Sequence, residues 1–149
     1  ARAAFDKLLA VVQPLNPDRF LSLTDEALRA VGFSRQKTRY GRALAAELQA
    51  GRLDLAGLAM LDDDAVRAEL MRLPGIGRWT ADIYLLMALL RADVWPHGDL
   101  GLLVGAAEVL GLAAPPAPEQ LAAIAEAWHP WRAVAARLIW HAYLSKRRK

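Results

Sequence analysis

The chain contains no cysteine among its 149 residues. This absence excludes disulfide bonds, thiolate zinc sites and cysteine-ligated iron–sulfur clusters. The sequence also lacks an uncharged run of about 20 apolar residues, which a membrane-spanning helix would need. No signal-peptide pattern opens it. We therefore expect a cytoplasmic protein that does not associate with membranes.

A broad excess of positive charge is missing as well. Lys and Arg number 19 against 16 Asp and Glu, but residues 146–149 supply four of the 19. The other 15 basic residues face 16 acidic ones, so any affinity for nucleic acid has to come from individually placed groups. We assign residues 1–144 to one domain and residues 145–149 to a basic C-terminal tail. This tail is either a solvated end or an electrostatic tether to phosphate.

Hydrophobic periodicity predicts helices throughout and no β-strand of useful length. Hydrophobic residues make up 55% of the chain, and the pattern favours an all-α globule. Thr24, Ser34, Asp62 and Asp99 are predicted N-caps. The predicted helices cover residues 2–13, 63–72, 78–90 and 131–144, and the segments from Thr24 to Gly32, Ser34 to Gly51, Asp99 to Gly111 and Pro118 to Pro130.

A short stretch, LPGIG at residues 73–77, separates two of these helices. Its two glycines permit a tight turn and remove side chains that would keep a ligand away from the backbone. The next helix starts at once, so its free N–H groups and positive dipole end form a cradle for a phosphate. We assign DNA-backbone binding to Gly75, Gly77, Arg78 and Thr80. The alternatives are a plain helix–helix corner and, for Arg78, a solvated side chain.

Three segments, LPGIGRWTADIYLLMAL, DVWPHGDLGL and WHPWRAVAARLIW, follow one another along the chain. In order and spacing they resemble the helix-hairpin-helix superfamily of DNA glycosylases, and most of all the alkylbase glycosylases that excise 3-methyladenine. The resemblance covers residues 20–144. It implies an all-α helical fold with a helix-hairpin-helix motif, in which two helical parts flank a DNA-binding cleft. The hairpin would grip the backbone beside a flipped base.

The resemblance implies that Asp99 is catalytic, whereas its position alone favours a plain helix cap. Departure of a base leaves cation-like charge at the anomeric carbon of the sugar. A fixed carboxylate stabilises that charge and can orient or deprotonate the attacking water. Alkylated purines such as 3-methyladenine and 7-methylguanine already carry a positive charge, so they leave without a second acid. Gly98 and Gly101, on either side of Asp99, would leave room for DNA.

A cationic base stacks well on electron-rich indole. Trp79 and Trp140 match aromatic pocket positions of the family, with core packing as the alternative, and Ile83 lies one turn after Trp79. We assign these three residues to the base pocket. Asp82 is interpreted as a surface charge, and Trp95, Trp128 and Trp131 as packing residues.

Trp79 also bears on the type of reaction. Bifunctional relatives carry at this position a lysine that forms a Schiff base with the sugar, so we expect a monofunctional enzyme without AP-lyase activity. No cofactor is expected. The family's hairpin can hold Na⁺ or K⁺ through backbone carbonyls, here those of Met71, Leu73 and Ile76. The expected partner is double-stranded DNA with alkylated bases, bound by a monomer at a bacterial nucleoid.

The sequence departs from the family in one respect. The family's Gln-Gln-hydrophobic-Ser motif, in a segment that supplies a wedge for the gap left by the flipped base, has no counterpart in these residues. We expect the family's N-terminal segment to be missing. A non-catalytic helix-hairpin-helix DNA-binding fragment is the main alternative function. A helical interaction domain with a purely structural hairpin is a second.

Overall fold

The computed structural model describes residues 2–147, with only the backbone for Arg2. Across this range the fold is helical, and the all-α prediction is confirmed. The α-helices are α1 (Arg2–Val11), α2 (Pro17–Ser22), α3 (Asp25–Ala30), α4 (Arg35–Gln49), α5 (Asp63–Met71), α6 (Arg78–Met87), α7 (Leu100–Leu110), α8 (Pro118–Ala125) and α9 (Arg132–Arg147). Two 3₁₀ helices, Gly57–Met60 and Glu126–Trp128, complete the set.

The four predicted N-caps are confirmed. Thr24, Ser34, Asp62 and Asp99 each accept a hydrogen bond from a backbone N–H in the first turn of the helix that follows. Such a bond satisfies one of the donors that a helix start leaves without an intrahelical partner. The sequence therefore locates the starts of α3, α4, α5 and α7 correctly.

Helix α2 was not predicted from the sequence. The structure places Pro17 at the start of α2, where its fixed φ and missing N–H are no disadvantage. Asn16 is the N-cap, and its side-chain oxygen accepts a hydrogen bond from the Arg19 N–H at 2.9 Å. Asn16 and Pro17 together therefore mark the start of α2.

The chain divides into two compact units, one ending at Gly75 and the other beginning at Ile76. The first unit has a core centred on α1 to α4, with α2 packed against α4. Its buried residues are Leu8, Val12, Phe20, Leu28, Val31 and Ala45.

In the second unit, α7 packs closely against α9. A Cβ built on Gly105 of α7 would lie 2.8 Å from Cγ2 of Ile139 in α9. Only glycine therefore allows this helix–helix distance without a shift of the neighbouring chain. Buried apolar residues from several helices fill the rest of the unit, including Leu85, Leu86, Leu102, Leu121 and Ala136.

The last helix is longer than predicted, and our tail boundary at residue 145 needs correction. Helix α9 continues to Arg147. Lys146 and Arg147 lie 3.3 and 3.7 Å from the carboxylate of Glu108 on α7. These residues therefore extend the folded unit, while Arg148 and Lys149 lie outside the described residues. Within residues 2–147, no helix is long and apolar enough to cross a membrane.

Candidate active site

The carboxylate of Asp99 lies at the start of α7 in the second unit. Its Oδ1 accepts a hydrogen bond from the Leu102 N–H at 2.8 Å, which is the capping interaction expected from the sequence. The residue is only partly buried. Asp99 is therefore fixed by its own helix and still accessible to a ligand.

Two indoles donate hydrogen bonds to the same carboxylate. Nε1 of Trp79, from the first turn of α6, lies 2.9 Å from Oδ2 of Asp99. Nε1 of Trp140, from α9, lies 2.9 Å from Oδ1. The structure thus brings together the three residues that we assigned to catalysis and to the indole part of the base pocket. The sequence suggested stacking surfaces and gave no sign that the indole N–H groups meet Asp99.

Gly101 lies next to the hydrogen bond between Trp140 and Asp99. A Cβ built on it would be 3.0 Å from Oδ1 of Asp99 and 3.4 Å from Nε1 of Trp140. Its lack of a side chain therefore makes room for the carboxylate and the indole of the same chain. We had attributed that space to approaching DNA, and for Gly101 the internal contact is the observed reason. At Gly98, a Cβ would meet nothing within 4 Å.

The two hairpin glycines, Gly75 and Gly77, differ in backbone conformation and in their surroundings. Gly75 has a φ of +87°, which side chains disfavour, and a Cβ there would lie 2.2 Å from Cδ2 of Tyr40. Gly77 has ordinary extended backbone, with φ −99° and ψ 179°, and a Cβ there would meet nothing within 4 Å. Unusual backbone angles therefore explain Gly75 but not Gly77.

No side chain caps the start of α6, because its N-cap residue is Gly77. The first-turn N–H groups, among them those of Trp79 and Thr80, are therefore available to an external acceptor. Thr80 is exposed and Ile83 is half-buried. The roles that we assigned to these residues stay predictions, as does the cation site at the carbonyls of Met71, Leu73 and Ile76.

Asp82 was wrongly interpreted as a surface charge. It is fully buried in α6, and its Oδ2 lies 3.3 Å from Nε of Arg78, one turn earlier. The side chain of Arg78 remains 62% exposed. An exposed guanidinium anchored at one nitrogen keeps its other donors available to a phosphate.

A charged cluster at the start of α9 holds the loop that leads to Asp99. Arg132 forms a bidentate ion pair with Asp93, with Nε–Oδ1 and Nη2–Oδ2 distances of 2.8 Å. Nδ1 of His129 is 2.6 Å from the same carboxylate, and Nη1 of Arg132 lies 2.6 Å from Glu126. The Arg132 guanidinium lowers the pKa of Asp93 from 3.8 to about 2.

The sequence gave no indication of this cluster, because Asp93 and Arg132 are far apart in the chain. A backbone hydrogen bond from Ala133 to the Ala92 carbonyl, 2.9 Å long, joins the same two segments. The cluster therefore fixes the start of α9 to the segment just before Asp99.

Of the three tryptophans that we interpreted as packing residues, two are confirmed in that role. The rings of Trp95 and Trp128 pack against each other, with centroids 5.6 Å apart. Trp131 is 60% exposed, so its assignment as a packing residue was wrong. Within the described part of the chain, no group of three or more His, Asp or Glu side chains is arranged to hold a metal ion.

The chain is similar in sequence to proteins named as DNA-3-methyladenine glycosylases. The chain is 29% identical over 125 residues to DNA-3-methyladenine glycosylase 1 of Schizosaccharomyces pombe, and the match covers 83% of this chain and 55% of that protein. No protein-family model matches. The chain spans about half the length of such curated relatives, between 43% and 59% for three of them.

Two solved structures share the fold. A DNA-3-methyladenine glycosidase from Bacillus halodurans superposes with a TM-score of 0.80 at 30% identity, over 95% of this chain and 66% of that one. The 3-methyladenine DNA glycosylase Mag1 of S. pombe, in complex with abasic DNA, gives a TM-score of 0.88 at 26% identity, over 93% and 69%. Both likenesses extend across nearly all of the present chain.

Proposed function

We propose that this chain, which belongs to the helix-hairpin-helix superfamily of DNA glycosylases, hydrolyses the N-glycosidic bond of alkylated purines in duplex DNA. The observation that carries the proposal is the convergence of Trp79, Trp140 and the α7 cap on the carboxylate of Asp99. A partly exposed carboxylate held by three donors is suited to stabilising positive charge on a bound sugar. The chain would act as a monomer.

In the proposed reaction the bond between the anomeric carbon and the purine nitrogen breaks, and its electron pair leaves with the base. That pair neutralises the positive charge of 3-methyladenine or 7-methylguanine, so no acid has to protonate the leaving group. Asp99 stabilises the cation-like sugar. The oxygen of a water molecule then bonds to the anomeric carbon, and its proton passes to Asp99 or to solvent.

The hairpin would hold the DNA during this reaction. We assign a phosphate to the uncapped N–H groups at the start of α6, where Gly77 has open space above its Cα. Thr80 and the exposed guanidinium of Arg78 would add contacts to the same strand. Such contacts set the position of the DNA without reading its sequence, so recognition of damage falls to the flipped base.

The base pocket would use the faces of Trp79 and Trp140, with Ile83 beside them. Trp79 is 47% exposed although its indole N–H is engaged, so part of its surface remains accessible to a ligand. An indole face attracts a cationic purine more than a neutral one. Because Trp79 occupies the position of the lysine nucleophile in bifunctional relatives, we propose hydrolysis without strand cleavage.

A non-catalytic DNA-binding fragment is the second candidate. The observation that favours it is the uncapped start of α6, which can bind a phosphate whether or not Asp99 is catalytic. Both candidates predict binding to DNA that weakens as salt rises. They differ in whether free base is released.

The deciding experiment measures release of methylpurines from methylated duplex DNA under single-turnover conditions. We expect release by the parent chain and a loss of about 100-fold or more with Asp99→Asn, which removes the negative charge. Asp62→Asn is the matched control, since Asp62 caps α5 in the same way, with Oδ1 2.8 Å from the Ala65 N–H. Asparagine is an equally good N-cap, so neither variant should lose helix stability.

The outcomes separate the candidates. Release by the parent and by Asp62→Asn, but not by Asp99→Asn, supports the glycosylase with Asp99 in the assigned role. Equal release by all three chains rejects Asp99 as the catalytic group. DNA binding without release by any of them favours the fragment.

A further inference from the structure

The three hydrogen bonds to Asp99 are distributed unevenly between its two oxygens. Oδ1 accepts from the Leu102 N–H and from Nε1 of Trp140, whereas Oδ2 accepts from Nε1 of Trp79 alone. Each carboxylate oxygen can accept about two hydrogen bonds. Among the described residues, Oδ1 is therefore saturated and Oδ2 keeps one acceptor position.

A capping bond alone does not fix the plane of an aspartate carboxylate, because the terminal torsion of Asp is broad. The bond from Leu102 anchors Oδ1 but leaves rotation about it possible. The N–H groups of Trp79 and Trp140 approach from α6 and α9 and hold one oxygen each. Together the three donors define both the position and the plane of the carboxylate.

We propose that the indole N–H groups of Trp79 and Trp140 position the Asp99 carboxylate so that the free acceptor site of Oδ2 is presented to the reacting sugar and water. Both tryptophans are then positioning residues for Asp99, in addition to any stacking on the base. This inference rests on the proposed glycosylase function and deepens it. It assigns to the indole edge a role that stacking on the indole face does not require.

The two uses of one indole are compatible. The N–H lies on the ring edge, while a base stacks on the face. At Trp79 the ring edge is bonded to Asp99 and the residue is still 47% exposed, so part of its surface is accessible to a base. Gly101 leaves room for the hydrogen bond between Trp140 and Asp99, because a Cβ there would lie 3.4 Å from Nε1 of Trp140 and 3.0 Å from Oδ1 of Asp99.

The first test replaces each indole with an aromatic ring that has no N–H. Trp79→Phe and Trp140→Phe keep a stacking face and remove the donor. Hydrogen bonds to a charged group are stronger than those between neutral groups, so we expect single-turnover base release to fall by about 10-fold or more. Affinity for abasic DNA, which has no base to stack, should stay within about 2-fold. Trp131→Phe, at the exposed indole just before α9, is the matched control and should leave both values unchanged.

The second test asks whether Trp79 acts through Asp99. In the Asp99→Asn background an amide replaces the carboxylate, so the loss caused by Trp79→Phe should largely disappear. A double-mutant cycle measures this coupling. A loss that persists undiminished in the double variant would mean that Trp79 acts by stacking alone and would overturn the inference.

The third test reads the contacts without catalysis. Indole N–H signals of the five tryptophans are followed by ¹⁵N NMR in the parent chain and in Asp99→Asn. The signals of Trp79 and Trp140 should move, because their acceptor changes. Three signals should stay in place: those of Trp95, Trp128 and Trp131.

Failure of the inference can be told apart from failure of the proposed function. If the parent releases no methylpurine, the glycosylase function fails, and the inference that rests on it fails too. If the parent is active and Asp99→Asn is not, but both Phe variants match the parent or neither indole signal moves, the inference alone is wrong.

Discussion

The side chain of Asp99 caps α7 and also accepts hydrogen bonds from two indoles, and only the cap could be predicted from the sequence. Its spacing from the first turn of α7 identifies a helix cap, and the structure adds two indole donors from residues 20 and 41 positions away. A cap depends on neighbours in sequence and can be predicted from them. The indole contacts depend on the packing of three helices, which no local pattern records.

The glycine beneath this carboxylate can be tested directly. Gly101→Ala should leave the melting temperature unchanged or slightly higher, because alanine favours a helix by up to about 1 kcal/mol over glycine. The new methyl group would crowd Oδ1 of Asp99 at 3.0 Å and Nε1 of Trp140 at 3.4 Å. We therefore expect methylpurine release to fall about 10-fold, measured in single turnover beside a thermal melt.

The comparison variant is Gly105→Ala, four residues further along α7. There the added methyl would meet Cγ2 of Ile139 at 2.8 Å and the Ile139 carbonyl at 3.2 Å. Overpacking of this kind typically destabilises by 1–3 kcal/mol, so Gly105→Ala should lower the melting temperature. Equal effects of the two variants on release would contradict the special position of Gly101.

At the scale of elements, the two glycines of the hairpin between α5 and α6 have different surroundings, Gly75 being crowded and Gly77 open. Gly75→Ala combines an unfavourable φ of +87° with a methyl group 2.2 Å from the ring of Tyr40. We expect it to destabilise the protein by about 2 kcal/mol or more and to lower the melting temperature by about 5 °C. Circular dichroism melts measure this effect.

Gly77→Ala should behave differently, because its φ is ordinary and its surroundings are open. Loss of the glycine N-cap costs about 1 kcal/mol at most. If a phosphate docks on the uncapped N–H groups of α6, the methyl group obstructs it, and we expect affinity for abasic DNA to fall about 10-fold. Undiminished affinity would place the phosphate elsewhere.

The starts of helices were predictable from the sequence, whereas contacts between helices were not. Asp62 and Ser34 follow capping rules that involve three or four consecutive residues. Asp82 follows none, since its burial depends on what packs against its face of α6. The prediction for Trp131 was wrong in the opposite sense, because we expected a packed indole and the residue is 60% exposed. The candidate site was found because family spacing carried the information that local periodicity lacks.

At the scale of the whole molecule, the net charge of +3 is small, so the DNA binding that we propose depends on individually placed groups. Several arginines are engaged with carboxylates, and each of the five pairs named next lies within one unit. They are Arg42–Asp25, Arg52–Glu47, Arg67–Asp64, Arg72–Glu69 and Arg132–Asp93. Binding through backbone N–H groups releases fewer counterions than binding through free cations, so affinity should vary only moderately with salt.

The ion pair of Asp93 with Arg132 sets an expected dependence of global stability on pH. The folded pKa of Asp93, about 2, lies below its ordinary value of 3.8, so the pair stabilises the fold above pH 4 and is lost as pH falls towards 2. A pKa difference of this size corresponds to about 2.5 kcal/mol. Solvent screening of these partly exposed side chains reduces the expected contribution to about 1 kcal/mol.

Urea unfolding at several pH values between 2 and 7 measures this contribution as the difference between the parent and Asp93→Asn. The difference should be about 1 kcal/mol at pH 7 and should shrink to a small remainder at pH 2, where Asp93 is about half protonated in the folded chain. Asp64→Asn is the matched control: its side chain is 91% exposed and pairs with Arg67 across one helical turn, so its effect should be close to zero at every pH. A difference for Asp93→Asn that stays constant down to pH 2 would show that the carboxylate charge is not what stabilises the loop before Asp99.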